Sequence, residues 1–111
     1  MKKPSIPKKA PTKASERAAQ EELLWVAEHG DVPSLDLHGL STLAAEHELE
    51  QFIHHQLYRH TQVVKIIHGH GTGKLKQMTE TWLKQHPELV LYARPALTNR
   101  GSGAIIVLLN T

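Results

Sequence analysis

The sequence contains no cysteine, which excludes disulfides and thiolate metal sites. One phenylalanine, two tryptophans and two tyrosines are too few for a row of aromatic side chains on which successive bases could stack. No apolar run approaches the ~20 residues that cross a bilayer. The amino terminus is basic, but no apolar core follows it to make a signal peptide. These absences predict a cytoplasmic domain with neither a membrane nor a disulfide partner. At 111 residues the chain suffices for one domain with a real core but not for two domains.

Acids are missing from residues 1–15, which carry Lys2, Lys3, Lys8, Lys9 and Lys13. Residues 16–50 set Arg17 against nine carboxylates, and residues 51–111 set seven cations against Glu80 and Glu88. The near-neutral total of +2 thus hides two basic segments around an acidic one. Such a balance suits a polyanionic partner. Residues 1–14 are dominated by lysine and proline and cannot bury enough surface to offset their ordering entropy, so a disordered basic tail is expected there.

The remainder has a clear order. Residues 15–33 form a helix and a turn: strong helix formers run from Ser15 to His29, with Leu23, Leu24 and Ala27 expected to pack on the flank of the domain. The folded unit proper spans residues 34–111. Ser34–Leu37 is a short strand. Thr42–His60 is a helix capped by Ser41 or Thr42, with Ala45, Leu49, Phe52, Ile53 and Leu57 on one buried stripe. Gln62–Ile67 is apolar enough for a strand covered on both faces. Lys74–His86 is a second amphipathic helix, burying Leu75, Met78, Thr79, Trp82 and Leu83 and closed by Pro87. Leu89–Arg94 and Ala104–Leu109 form a final antiparallel pair. The predicted fold class is α/β: a two-layer β-α-β-α-β-β sandwich with a four-stranded mixed sheet, plus the amino-terminal helix. Trp25 and Trp82 read as packing residues.

Two segments converge on one end of this sheet. Leu35-Asp36-Leu37-His38-Gly39 and Ile67-His68-Gly69-His70-Gly71-Thr72-Gly73-Lys74 each end an apolar run and precede a helix. Ligands of open α/β sheets bind beyond the carboxyl ends of neighbouring strands. Asp36 and His38, two apart on a strand, share a face, where a carboxylate can orient an imidazole. Gly69, Gly71 and Gly73 permit tight backbone at the start of a helix whose free amides suit phosphate, with Lys74 and Lys76 adding charge. The Walker P-loop fails, because His68 stands where its first glycine belongs and Leu75 where its hydroxyl belongs; the dinucleotide fingerprint fails at Lys74. The nine histidines contain no His-Glu-x-x-His spacing, and one carboxylate at the site argues against a resident two-metal centre.

These motifs, together with Arg100-Gly101-Ser102-Gly103-Ala104-Ile105-Ile106-Val107, resemble the three motifs of the small MutS-related (Smr) domain, in the right order across residues 34–111. The resemblance implies a fold similar to the carboxy-terminal domain of translation initiation factor three. It also implies endonuclease activity that nicks DNA or cleaves RNA. The family's Asp-x-His element falls on Asp36 and His38, and its His-Gly-x-Gly element on His68, Gly69 and Gly71. His70 occupies a position often held by lysine, and Ser102 one often held by glycine. The expected catalytic set is therefore Asp36, His38 and His68. The expected phosphate-binding set is Gly69, His70, Gly71, Thr72, Gly73, Lys74, Lys76 and Arg100. No cofactor is required by this chemistry. The alternatives are a non-catalytic module that binds nucleic acid or the ribosome, and a DNA nickase assisted by a divalent metal.

Overall fold

The last strand of the chain is also the most enclosed. The computed structural model describes residues 13–97 and 103–111. It contains α1 (Lys13–His29), β1 (Ser34–Asp36), α2 (Thr42–Tyr58), β2 (Val63–Ile67), α3 (Lys74–Lys84), β3 (Val90–Pro95) and β4 (Ala104–Leu109). All six residues of β4 are buried, because it lies between β2 and β3 in a sheet of order β1-β2-β4-β3. The β1–β2 pair is parallel and both pairs made by β4 are antiparallel, giving the mixed sheet and final antiparallel pair expected.

Strand periodicity divides the core in two. Val64, Ile66, Ile105, Val107 and Leu109 point into a cluster with Ala45, Leu49, Ile53, Trp82 and Leu83 of α2 and α3. Val63, Ile106 and Leu108 point the other way, towards Ala27. Helices α2 and α3 thus form the expected second layer, while α1 covers the opposite sheet face and adds a third. Successive strand residues alternate between faces, so a sheet apolar at every position needs cover on both. Trp25 departs from expectation: it is 63% exposed, whereas Trp82 is buried among the core residues.

A buried ion pair fixes α1. The Arg94 guanidinium on β3 donates to Glu28 Oε1 at 3.1 Å, and the Leu97 amide donates to the same oxygen at 2.8 Å. The side chains of Arg94 and Glu28 are 20% and 4% exposed, so little solvent screens the pair. The expected tail lies outside the described residues except for Lys13 and Ala14, which begin α1.

Helix α2 stops at Tyr58 rather than at His60. The Thr61 amide donates to the Gln56 carbonyl and the His60 amide to the Leu57 carbonyl, both at 2.9 Å. His60 takes the left-handed conformation, φ 60°, that such a helix end requires and that glycine adopts most easily. His60→Gly is expected to raise stability by up to about 1 kcal/mol, the left-handed strain relieved less the added chain entropy. Glu28→Ala is expected to lower stability by about 3 kcal/mol, because it strands a largely buried cation. Glu28→Gln, which keeps an acceptor for Leu97, should cost less. Urea unfolding of the three variants beside the wild type checks both expectations.

Candidate nucleic-acid groove

The parallel pairing of β1 with β2 sets the site. Asp36 registers with Ile67, so the polar residues following both strands emerge at one level. The Leu37 amide extends the ladder to the Ile67 carbonyl at 2.7 Å, and Leu37 is fully buried. The chain then turns from Leu37 to Leu40, closed by the Leu40 amide on the Leu37 carbonyl at 3.1 Å. Gly39, with φ 81°, supplies the positive dihedral demanded by the third position of a type II turn. Ser41 next caps α2 by accepting from the Ala44 amide at 3.2 Å.

This turn aims His38 outward while tying it to Asp36. The His38 ring donates from Nδ1 to Asp36 Oδ1 at 2.6 Å, and its backbone amide donates to the same oxygen at 3.0 Å. The ring hydrogen bond, then the amide, hold the Asp36 carboxyl below its usual 3.8. Asp36 is therefore an anion at neutral pH. With Nδ1 engaged by Asp36, Nε2 is the ring nitrogen left to the groove, where it can accept a proton or, once it carries one, give it up.

Beyond β2, three segments remote in sequence stack on one another. Gly69 has φ 83°, and a Cβ there would lie 3.0 Å from His38 Cβ. Gly103 has φ 63°, and a Cβ there would lie 2.7 Å from the Gly69 carbonyl. The Gly103 carbonyl accepts from the His68 and Gly69 amides at 2.7 and 3.0 Å. Only residues without side chains permit this approach.

His68 is 7% exposed and donates from Nδ1 to the Gly69 carbonyl at 2.8 Å. Burial pushes its pKa below the ordinary 6.5; the Gly69 hydrogen bond opposes this, Lys76 and His70 add to it, and Glu80 counteracts it. His68 is thus a neutral imidazole at pH 7.

The result is a groove of about 800 Å³ lined by His38 and by every expected phosphate-binding residue from Gly69 to Lys74, together with Lys76 and His68. Asp36 stands behind it, on His38. Helix α3 opens onto the groove at Gly73, which has no side chain to cap it; the Thr72 hydroxyl reaches only the Lys74 amide, at a long 3.4 Å. Arg100 and Ser102 lie outside the described residues. Sequence reasoning missed Leu40, Ser41 and Thr42, which line the groove along with Gly39, Ile67 and Leu75; their position just past the carboxyl end of a parallel strand was the available signal. It also missed Glu80, whose place one helical turn after Lys76 puts it in the field of His68. Among the described residues no three His, Asp or Glu side chains gather as a metal site. No helix among them is long and apolar enough to cross a membrane.

Comparisons with known proteins identify the family of this fold. The chain is 32% identical over 108 residues to ribosome rescue factor SmrB of Pectobacterium carotovorum subsp. carotovorum, covering 95% of this chain and 60% of that protein. It is 38% identical over 74 residues to ribosome rescue factor SmrB of Serratia proteamaculans, covering 67% of this chain and 42% of that protein. The chain therefore spans no more than 60% of the length of these two relatives. The solved Smr domain of Thermus thermophilus MutS2 superposes with a TM-score of 0.68 at 27% identity, over 72% of this chain and all of that one. Residues 35–110 match the Smr domain family, and the chain belongs to that family.

Proposed function

We propose that this chain acts at the ribosome, seating the sugar-phosphate backbone of single-stranded RNA in the groove between the ends of β1 and β2. The observation that carries this reading is the joining, in one groove, of an uncapped helix start with Lys74 and Lys76. Backbone amides there can hold phosphate oxygens, and the two lysines add charge. The names of the SmrB relatives, matched across 95% of the chain in one case, support the ribosome as the place of action.

One further observation favours cleavage in the same groove. A binding site has no need of an imidazole held at 2.6 Å by a carboxylate, whereas acid–base chemistry does. In this reading His68, neutral at pH 7, removes the proton of the RNA 2′-hydroxyl. The 2′-oxygen attacks phosphorus and the bond to the 5′-oxygen breaks. His38, oriented by Asp36, donates a proton to the departing oxygen. The products are a 2′,3′-cyclic phosphate and a 5′-hydroxyl, so atoms and protons balance. The nucleophile is already beside the phosphorus, which is why histidine chemistry suits RNA better than DNA. Amides from Gly71 to Lys74 would stabilise the charge gathering on the phosphoryl oxygens.

Binding should weaken with salt at a log–log slope near −0.7 per neutralised phosphate of single-stranded RNA. Lys74→Ala should flatten that slope by about 0.7; an unchanged slope in fluorescence anisotropy would take Lys74 out of the interface. Asp36→Asn should slow cleavage by at least about 100-fold while leaving affinity nearly intact. Equal rates would reduce the groove to a binding site. Because burial depresses the pKa of His68, the acid side of the rate profile should fall at a lower pH than an ordinary histidine base would give, as the base becomes protonated. Initial rates on RNA with and without EDTA, and on RNA with one 2′-deoxy nucleotide at the cut, complete the test. Undiminished cleavage of the deoxy substrate would replace the 2′-hydroxyl with an activated water.

A further inference from the structure

Three imidazoles line the groove, and they are not equivalent. His38 is held through Nδ1 by Asp36, and His68 through Nδ1 by the Gly69 carbonyl. His70 is exposed and makes no hydrogen bond with any described residue. It stands between Gly69 and Gly71, so neither neighbour contributes a side chain that would cover its ring. No phenylalanine, tyrosine or tryptophan lines the groove among the described residues. The ring of His70 is therefore its one unanchored π face.

The lining is also more apolar than a phosphate site requires. Leu40 is 39% exposed and lines the groove with Ile67 and Leu75, two half-buried side chains that also pack against the core clusters. Phosphate oxygens gain nothing from these side chains, and the α3 amides and lysines already serve them. A nucleobase has the opposite demand: a flat apolar surface that gains when it leaves water against another ring or an alkyl wall. Leu40 has no role in the core clusters. Its backbone closes the turn that aims His38, while its side chain is left to the groove.

We infer that His70 and Leu40 form a nucleobase subsite, in which one base of a single-stranded RNA stacks on the free imidazole while its backbone runs along the amino end of α3. This rests on the reading of the groove as an RNA site; it moves His70 from the phosphate-binding set expected of the sequence to the base, and adds Leu40, which had no assignment. Stacking uses the face of a base and not its edge, so the subsite tolerates every base and holds the larger purines best.

The test uses the full chain and 2′-O-methyl hexanucleotides, which lack the nucleophile: hexa-adenylate, hexa-uridylate and an abasic backbone of the same length. Affinities are read by anisotropy at pH 8. Wild type should bind hexa-adenylate more tightly than the abasic backbone. His70→Ala should weaken hexa-adenylate about tenfold, within the range for one lost stack, and leave the abasic backbone unchanged. His70→Phe should restore binding. His70→Lys should not restore base dependence, although it steepens the salt slope. The base subsite is overturned if phenylalanine does no better than alanine, or if alanine weakens the abasic backbone as much as hexa-adenylate. If wild type binds none of the three, the RNA reading falls and the subsite falls with it. If wild type binds adenylate and abasic backbone alike and His70→Ala changes neither, only the subsite falls.

Discussion

The backbone contact between Gly69 and Gly103 joins the segments that form the groove at one end of the sheet. Gly69 comes after β2 and backs onto His38, which comes after β1; Gly103 precedes β4 and lies against the Gly69 carbonyl. Two amides, those of His68 and Gly69, share the Gly103 carbonyl. Any side chain at Gly103 would meet backbone, which cannot swing aside as a flexible side chain can. The position of His38 relative to His68 thus depends on a contact that contains no side chain. The same contact gives the buried His68 amide its partner and avoids the cost of an unsatisfied donor.

Electrostatics at this end runs in one direction. Both shifted groups, Asp36 and His68, have folded pKa values below their ordinary ones. Each makes the folded chain bind fewer protons than the unfolded chain where it titrates. Each contribution is therefore present above the unfolded value and lost as the pH falls through the folded one. The causes differ. Asp36 is stabilised as an anion by two donors from His38, in a half-exposed setting where water screens much of the effect. His68 is kept neutral by burial. Acid thus disturbs the pair by protonating a carboxylate on one side and charging a buried ring on the other.

Much of this was legible in the sequence because it depends on short-range periodicity. The stripe Ala45, Leu49, Ile53 recurs on the buried face of α2, and the alternating apolar residues of β4 supply both cores. The glycine-bearing motifs placed the groove, since two strands in parallel register must bring the segments past their carboxyl ends together. Other features depend on partners distant in sequence. Trp25 sits among apolar neighbours, yet the buried side of α1 is set by Ala27 against β4 and by Glu28 meeting Arg94, 66 residues away. Gln56 interrupts an apolar stripe and is nevertheless buried, because Thr61 donates to its side-chain oxygen at 2.7 Å. No local pattern signals either pairing. Gly103 stood out in the third motif, but its contact with Gly69 appears only once β4 lies beside β2.

The place of β4 also bears on how the chain folds as it is made. It is the last of the seven described elements and, among them, the only one that pairs with both β2 and β3. Until it leaves the synthesising ribosome, β2 has β1 alone and β3 has no strand beside it. The nascent chain must hold its helices and unpaired strand edges in waiting, the arrangement most prone to wrong pairing. Insertion of a fully apolar strand then closes the sheet, fills both cores and brings Gly103 onto Gly69 in one event. A chain made only as far as β3 therefore carries the first two motifs without the Gly103 contact that draws them together.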